Sequence, residues 1–234
     1  MNRFVFPPWV NTFTLMVLAG LGGGGAYAGI LLAGGTWPAV MNTGYAPKQP
    51  VPFSHKLHAG ELKMDCRYCH NTVDQAAHAA VPATNVCGNC HGGQVVNGTA
   101  KTAIHINSIK LKPVRDSLAD GESVEWERIH DLADYVYFNH SVHVNRGVSC
   151  VECHGRIDKM EKVYQSEPLS MSWCLECHRN PEGRMRPRSE ITNLAWTWED
   201  SFETKAQYEQ AMRDEYSHDG SEIKASTNCS TCHR

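Results

Sequence analysis

Past Tyr45 the chain is poor in long aliphatic runs, and nowhere does a cysteine stand alone. The first shortage bears on the core. A segment with so little aliphatic material struggles to bury enough surface unaided, so something other than side chains must fill its interior. Charge of one sign is lacking too: the formal net charge is −3, with no basic stripe of the kind that tracks phosphates, which excludes nucleic acid as a partner. No catalytic triad, phosphate loop or carboxylate pair placed for acid–base chemistry can be picked out. Between Arg3 and Lys48 charge is absent altogether.

That uncharged stretch contains Val10–Ala33, made of apolar or small residues. As a helix rising about 1.5 Å per residue it reaches ~36 Å, enough to cross a hydrocarbon core of roughly 30 Å. A cleaved signal peptide competes with this reading, because Ala26-Tyr27-Ala28 resembles a small-residue cleavage site. The apolar run continues past that site through Ile30, Leu31 and Leu32, which favours an uncleaved anchor. Arg3 precedes it, and the positive-inside tendency puts everything after Trp37 on the far side of the membrane. Its Gly-rich middle, "AGLGGGGAYAGI", suits close packing against other membrane helices.

All ten cysteines fall into Cys-x-x-Cys pairs: Cys66/Cys69, Cys87/Cys90, Cys150/Cys153, Cys174/Cys177 and Cys229/Cys232. Each pair is followed at once by a histidine, His70, His91, His154, His178 or His233. That spacing is the one covalent haem attachment needs: two thiols add to the porphyrin vinyl groups and the adjacent imidazole becomes the proximal iron ligand. Zinc, thioredoxin-like redox pairs and structural disulfides also use paired cysteines. None of them requires a histidine after every second cysteine, and chance would supply all five on the order of once in a million trials. Five covalently bound haem c groups would also supply the missing core. The expected fold is mostly α and irregular: a haem-cored multihaem cytochrome c domain with little regular secondary structure, preceded by one N-terminal transmembrane helix.

An electron-transfer haem needs a sixth ligand that stays in place on reduction. Phe-x-His-x-x-His occurs twice, as "FSHKLH" with His55 and His58 and as "FNHSVH" with His140 and His143. Imidazoles three apart on a helical turn leave one face and reach neighbouring haems. Each copy precedes two haem motifs, so the chain reads as a cytoplasmic N-terminus (1–9), an anchor (10–35), a linker (36–52), a first di-haem module (53–91), a polar connection (92–137), a second di-haem module (138–178) and a C-terminal segment with the fifth motif (179–234). His130, in "WERIHDLADYVYFNH", is the expected fifth distal ligand, and Met171, in "LSMSWC", is its rival at one haem. His78, His105 and His218 read as surface or hydrogen-bonding residues. "RNPEGRMRPRSE" offers arginines for haem propionates or for solvent, and "SFETKAQYEQAMRDEY" reads as a charged helix.

The segments "WERIHDLADYVYFNHSVHVNRGVSCVECHGRIDKMEKV", "PLSMSWCLECHRNPE" and "NCSTCHR" resemble the pentahaem cytochrome c subunit of alternative complex III, a bacterial quinol:electron-acceptor oxidoreductase. The resemblance spans the anchor, all five motifs and both His pairs, and departs from the family at Ala133, where proline is usual, and in its long 92–125 connection. The first module alone resembles small cytochromes of the c3 and c7 type. What the alternative complex III resemblance implies is an electron relay from quinol oxidation in a respiratory or photosynthetic membrane. Its partners would be a polytopic quinol-site membrane subunit, a large iron–sulfur subunit, and a monohaem cytochrome c subunit or soluble periplasmic carrier. The haem domain would lie on the periplasmic side of the bacterial cytoplasmic membrane. Two other readings compete: a multihaem reductase with one open iron, and a membrane-anchored quinol dehydrogenase of the tetrahaem type feeding a periplasmic reductase.

Overall fold

The structure is a computed structural model, and it describes residues 5–35, 41–93, 95–96, 99–100 and 103–233. Two compact units divide the chain, Met1–Thr43 and Gly44–Arg234. The first is built on helix α1, Trp9–Gly35, 27 residues with none buried. Its composition explains its form: no charge interrupts it, and Trp9 and Phe13, one turn apart, meet edge to face with ring centroids 6.0 Å apart. By length and composition α1 is the single helix among the described residues able to cross a membrane.

In the second unit the α-helices are short, from four to twelve residues, and five of the eight lie at the cysteine pairs. The eight are α2 (Cys66–Cys69), α3 (Thr84–His91), α4 (Lys112–Asp120), α5 (His140–Asn145), α6 (Val151–His154), α7 (Met171–Arg179), α8 (Lys205–Tyr216) and α9 (Cys229–Cys232). A short hairpin, β1 (Val95–Val96) with β2 (Thr99–Ala100), pairs antiparallel, Val95 opposite Ala100. Polar caps start the turns where the sequence supplies them. Asp65 accepts from Arg67 N–H at 2.8 Å ahead of α2, Asn139 from Ser141 N–H at 3.0 Å ahead of α5, and Ser170 from Trp173 N–H at 3.3 Å ahead of α7. One helical turn then sets cysteines three apart on the same face. Mostly helical and irregular is thus the fold observed, as the sequence implied.

Helix α4 lies in what the sequence presents as a polar connection. Pro113 in its first turn and Gly121 behind it, at φ +82°, are its start and stop signals. Val114 and Ser117 are its buried positions, and Leu118 packs over Gly88 of α3, where a β-carbon would sit 3.2 Å from Leu118. Its charged residues obscure that short apolar stripe in the sequence.

Among the described residues, an ordinary hydrophobic core cluster occurs near the C-terminus. Tyr208, Met212 and Tyr216 recur every fourth residue along α8 and bury one face against Met185 and Trp196, with Trp198, Phe202, Ala211 and Ile223 around them. A capping box of Thr204 and Gln207 starts that helix. The Tyr216 hydroxyl donates to Arg186 O at 2.8 Å, and its ring lies where a β-carbon on Gly147, at φ +84°, would meet it at 2.7 Å. Only glycine suits that joint between α5 and the C-terminal core.

Candidate functional site

The two Phe-x-His-x-x-His copies fold alike. Phe53 stacks on His58 with centroids 4.4 Å apart at 25°, and Phe138 stacks on His143 at 4.5 Å and 25°. Each phenylalanine meets the first histidine edge-on, Phe53 to His55 at 4.8 Å and 85°, Phe138 to His140 at 4.7 Å and 88°. The second histidine of each copy donates Nδ1–H to the carbonyl four residues back: His58 to Ser54 at 2.9 Å and His143 to Asn139 at 2.8 Å. The first copy opens on a π-helical turn, Lys56–Glu61, and the second on α5, so the ring geometry is shared although the backbone is not. Sequence reasoning gave the phenylalanines no role; their constant position two residues before the first histidine was the available signal.

Each copy aims its second histidine at the second cysteine motif of its own module. His58 and His91 have centroids 6.4 Å apart, and His143 and His178 6.1 Å. Two imidazoles on opposite sides of one metal, each bonded at about 2 Å, have centroids roughly 6 Å apart. Both pairs match that separation.

A carbonyl acceptor fixes the tautomer, since Nδ1 must then carry the proton and Nε2 keeps the lone pair. His70 donates to Ala80 O at 2.8 Å, His91 to Ile104 O at 2.7 Å and His178 to Ser226 O at 2.6 Å. His140 does the same to Ala77 O at 2.9 Å, a nearer partner than the Ala79 N–H 3.3 Å from the same nitrogen. Three motif histidines and three upstream ones therefore present Nε2 as a ligand. Burial disfavours the charged form of three upstream histidines, leaving them as the neutral imidazole that binds metal: it pushes His55 down to about 4, with His70 and His58 adding, and lowers His140 and His143. His154 falls to about 3, chiefly through burial and then through His130, His140, His70 and His55.

The two modules interlock reciprocally. The first His pair docks behind the third motif, with Lys56 N–H on Met160 O at 3.0 Å and Ser54 Oγ on Glu161 Oε2 at 2.8 Å. The second docks behind the first motif, with His140 N–H on Ala77 O at 3.0 Å and Ser141 N–H on Ala76 O at 3.2 Å. Gly60 permits the closeness, since a β-carbon there would lie 2.2 Å from Asp158 O. His55, His70, His140 and His154 accordingly gather where the modules meet.

His130 sits beside His154, with its Nε2 3.3 Å from His154 Nδ1, the rings 4.3 Å apart at 77°. At the fifth motif, Val136 bridges His233, Tyr137 N–H donates to Cys232 O at 2.8 Å and the Tyr135 ring lies 5.8 Å from His233, whose buried Nδ1 has no hydrogen-bond partner. Met171 opens α7 with 61% of its surface exposed, while His143 is the ring placed against His178 of that helix. His78, His105 and His218 are exposed. Three of the four arginines in the stretch after His178 are engaged within the chain: Arg184 with Glu176 at 3.0 Å, Arg186 with Glu152 at 3.7 Å and Arg188 with Glu215 at 3.5 Å. Neither propionates nor solvent alone need account for them.

None of the ten cysteines is paired in a disulfide, and no group of three or more metal-binding side chains among the described residues forms a zinc-type cage. Paired thiols on one helical face, proton-fixed imidazoles beside them and a second imidazole at the axial separation fit haem c.

Comparison with known proteins agrees. The family described as "Cytochrome c7 and related cytochrome c" matches residues 51–105 and 136–234, which hold all five motifs and both His pairs. The chain is 27% identical over 165 residues to the menaquinone reductase multihaem cytochrome c subunit of Nitratidesulfovibrio vulgaris (strain Hildenborough), covering 62% of this chain and 74% of that protein.

Proposed function

The chain belongs to the family of cytochrome c7 and related c-type cytochromes, a carrier of covalently bound haem c, and from that premise we propose that it is the pentahaem electron relay of a quinone-linked membrane complex. Each haem supplies a one-electron couple at its iron, tuned by its axial ligands. The observation that carries the reading is the repeated pairing of His58 with His91 and of His143 with His178 at matching separations. A saturated iron has no room for substrate, so two-sided histidine ligation supports electron transfer over substrate chemistry.

In this reading Cys66 and Cys69, Cys87 and Cys90, Cys150 and Cys153, Cys174 and Cys177, and Cys229 and Cys232 each hold one haem. His55 and His140 serve the first and third motifs, where they gather with His70 and His154. Phe53 and Phe138 lock the distal rings by stacking, and the backbone carbonyls orient Nε2. Helix α1 anchors the chain in the bacterial cytoplasmic membrane with the haem domain on the periplasmic side. The family resemblance supports alternative complex III as that complex, with a polytopic quinol-site subunit, a large iron–sulfur subunit and a monohaem cytochrome or soluble carrier as neighbours. The relative, a menaquinone reductase subunit, supports a quinone-linked assembly and raises the opposite direction of electron flow.

A second reading, one iron with an open sixth position, draws on the fifth motif, where the ring beside His233 is Tyr135. Purification from the native membrane in mild detergent tests the first. Co-purification of the polytopic and iron–sulfur subunits, with quinol reducing the haems, supports it; isolation with a soluble periplasmic reductase removes the complex assignment. A high-spin ferric signal in the oxidised protein would support the second.

A further inference from the structure

We propose that His130 is a positioning residue for the third motif: its Nε2 accepts a hydrogen bond from Nδ1 of His154 and sets the orientation and basicity of that proximal imidazole. The inference rests on the haem reading above and reassigns the residue that sequence alone offers as a distal ligand.

Geometry separates the two roles. Rings read as sharing a metal axially stand 6.4 Å apart at His58/His91 and 6.1 Å at His143/His178, with Nδ1 of the second histidine of each copy turned away to a backbone carbonyl. His130 and His154 are 4.3 Å apart and nearly perpendicular, and the contact runs through His154 Nδ1, the nitrogen that faces away from a haem iron. The Nδ1 atoms of His70, His91 and His178 meet backbone carbonyls, so at His154 a side chain takes the place the main chain fills elsewhere.

The segment bearing His130 is held for the purpose. Gln49 brackets Glu127 from both sides of its amide, Nε2 to Glu127 O at 2.8 Å and Oε1 from Glu127 N–H at 3.0 Å, three residues before His130. An imidazole nitrogen is a stronger base than a peptide carbonyl. Accepting from His154 it strengthens that ligand's donation, which favours the ferric iron and lowers the haem's potential. His130 lies outside the two segments that match the cytochrome c7 family, in the connection between them.

The test uses the matured full-length protein with three readouts: haem content per chain, spin state by magnetic circular dichroism, and midpoint potentials by redox titration. Replacing His130→Phe keeps the volume and removes the acceptor. The expected result is one midpoint shifted upward, unchanged haem content and no high-spin signal beyond that of the native protein. Replacing His130→Gln restores an acceptor and should bring the midpoint back toward the native value. A new high-spin haem in His130→Phe would make His130 an iron ligand, and unmoved midpoints would deny it any role; either overturns the proposal. If His130→Phe does not accumulate with its haems, Gln49→Ala, which frees the segment without touching either ring, is read the same way with a smaller shift expected. A native protein with fewer than five haems would instead count against the pentahaem reading, whatever the variants show.

Discussion

Residues 53–180 and residues 182–223 are built on opposite principles. In the first, buried apolar side chains number three among the described residues, Val73, Val114 and Met160, while cysteines, histidines and phenylalanines are spaced by single helical turns. In the second, a much shorter segment, seven are buried: Met185, Ile191, Leu194, Trp196, Tyr208, Met212 and Tyr216. The second region is a small protein core made of side chains. The first is a scaffold whose side chains ligate and orient, and whose interior must come from the porphyrins. Removing the haems should therefore hurt the two regions unequally.

The largest effect expected is on the whole first region. Replacing Cys150 and Cys153 with serine, or producing the chain without haem attachment, should leave residues 53–180 open to protease while α8 is reached last. Uniform cleavage across both regions would break the comparison. Met212, 1% exposed, gives the converse. Met212→Ala should cost about 2–5 kcal/mol, as large-to-small core changes do, and leave the haem spectrum unaltered. A changed spectrum would show that the C-terminal core sets the haem environment after all.

Smaller effects should sharpen the likeness between the two copies inside the first region. Phe53→Leu and Phe138→Leu each remove one stacked ring, a contribution of about 0.5–1.5 kcal/mol, and should lower the thermal midpoint of the matured protein by equal amounts. Unequal losses would mean the copies differ in load despite their shared geometry.

The smallest is a pH effect confined to the second region. Arg213 hydrogen-bonds Glu182 at 2.9 and 2.7 Å and holds its carboxyl below the ordinary value near 4.5, against the opposing pull of burial. A depressed carboxylate contributes stability that is full above its unfolded pKa and is lost as pH falls through the folded one. Stability should thus decline below about pH 4.5, and Glu182→Gln should flatten that decline while leaving a lower plateau at neutral pH, as urea unfolding at several pH values would read.

Much of this was legible in the sequence because the chemistry is written in short spacings. A Cys-x-x-Cys pair spans about one helical turn, so α2, α3, α6, α7 and α9 form at the motifs where spacing alone puts them. The charged stretch after Phe202 reads as a helix and folds as α8, since its apolar residues recur every fourth position. What could not be read depends on contacts between distant segments. The reciprocal docking of His55 and His140 behind the other module's motif, the meeting of Tyr135 with His233 and the attachment of His130 to His154 span 24 to 107 residues and leave no periodic trace. Gln49 and Glu127 illustrate why: neither residue type signals anything until the chain brings them together.

The central claim is that each His pair gives its second imidazole to the second motif of its own module. Replacing His58 with alanine and, separately, His143 with alanine, then recording magnetic circular dichroism of the oxidised protein, tests it most directly. Each variant should gain one high-spin haem with full haem content retained, and the double variant two. An unchanged low-spin spectrum in either single variant would contradict the pairing of His58 with His91 or of His143 with His178.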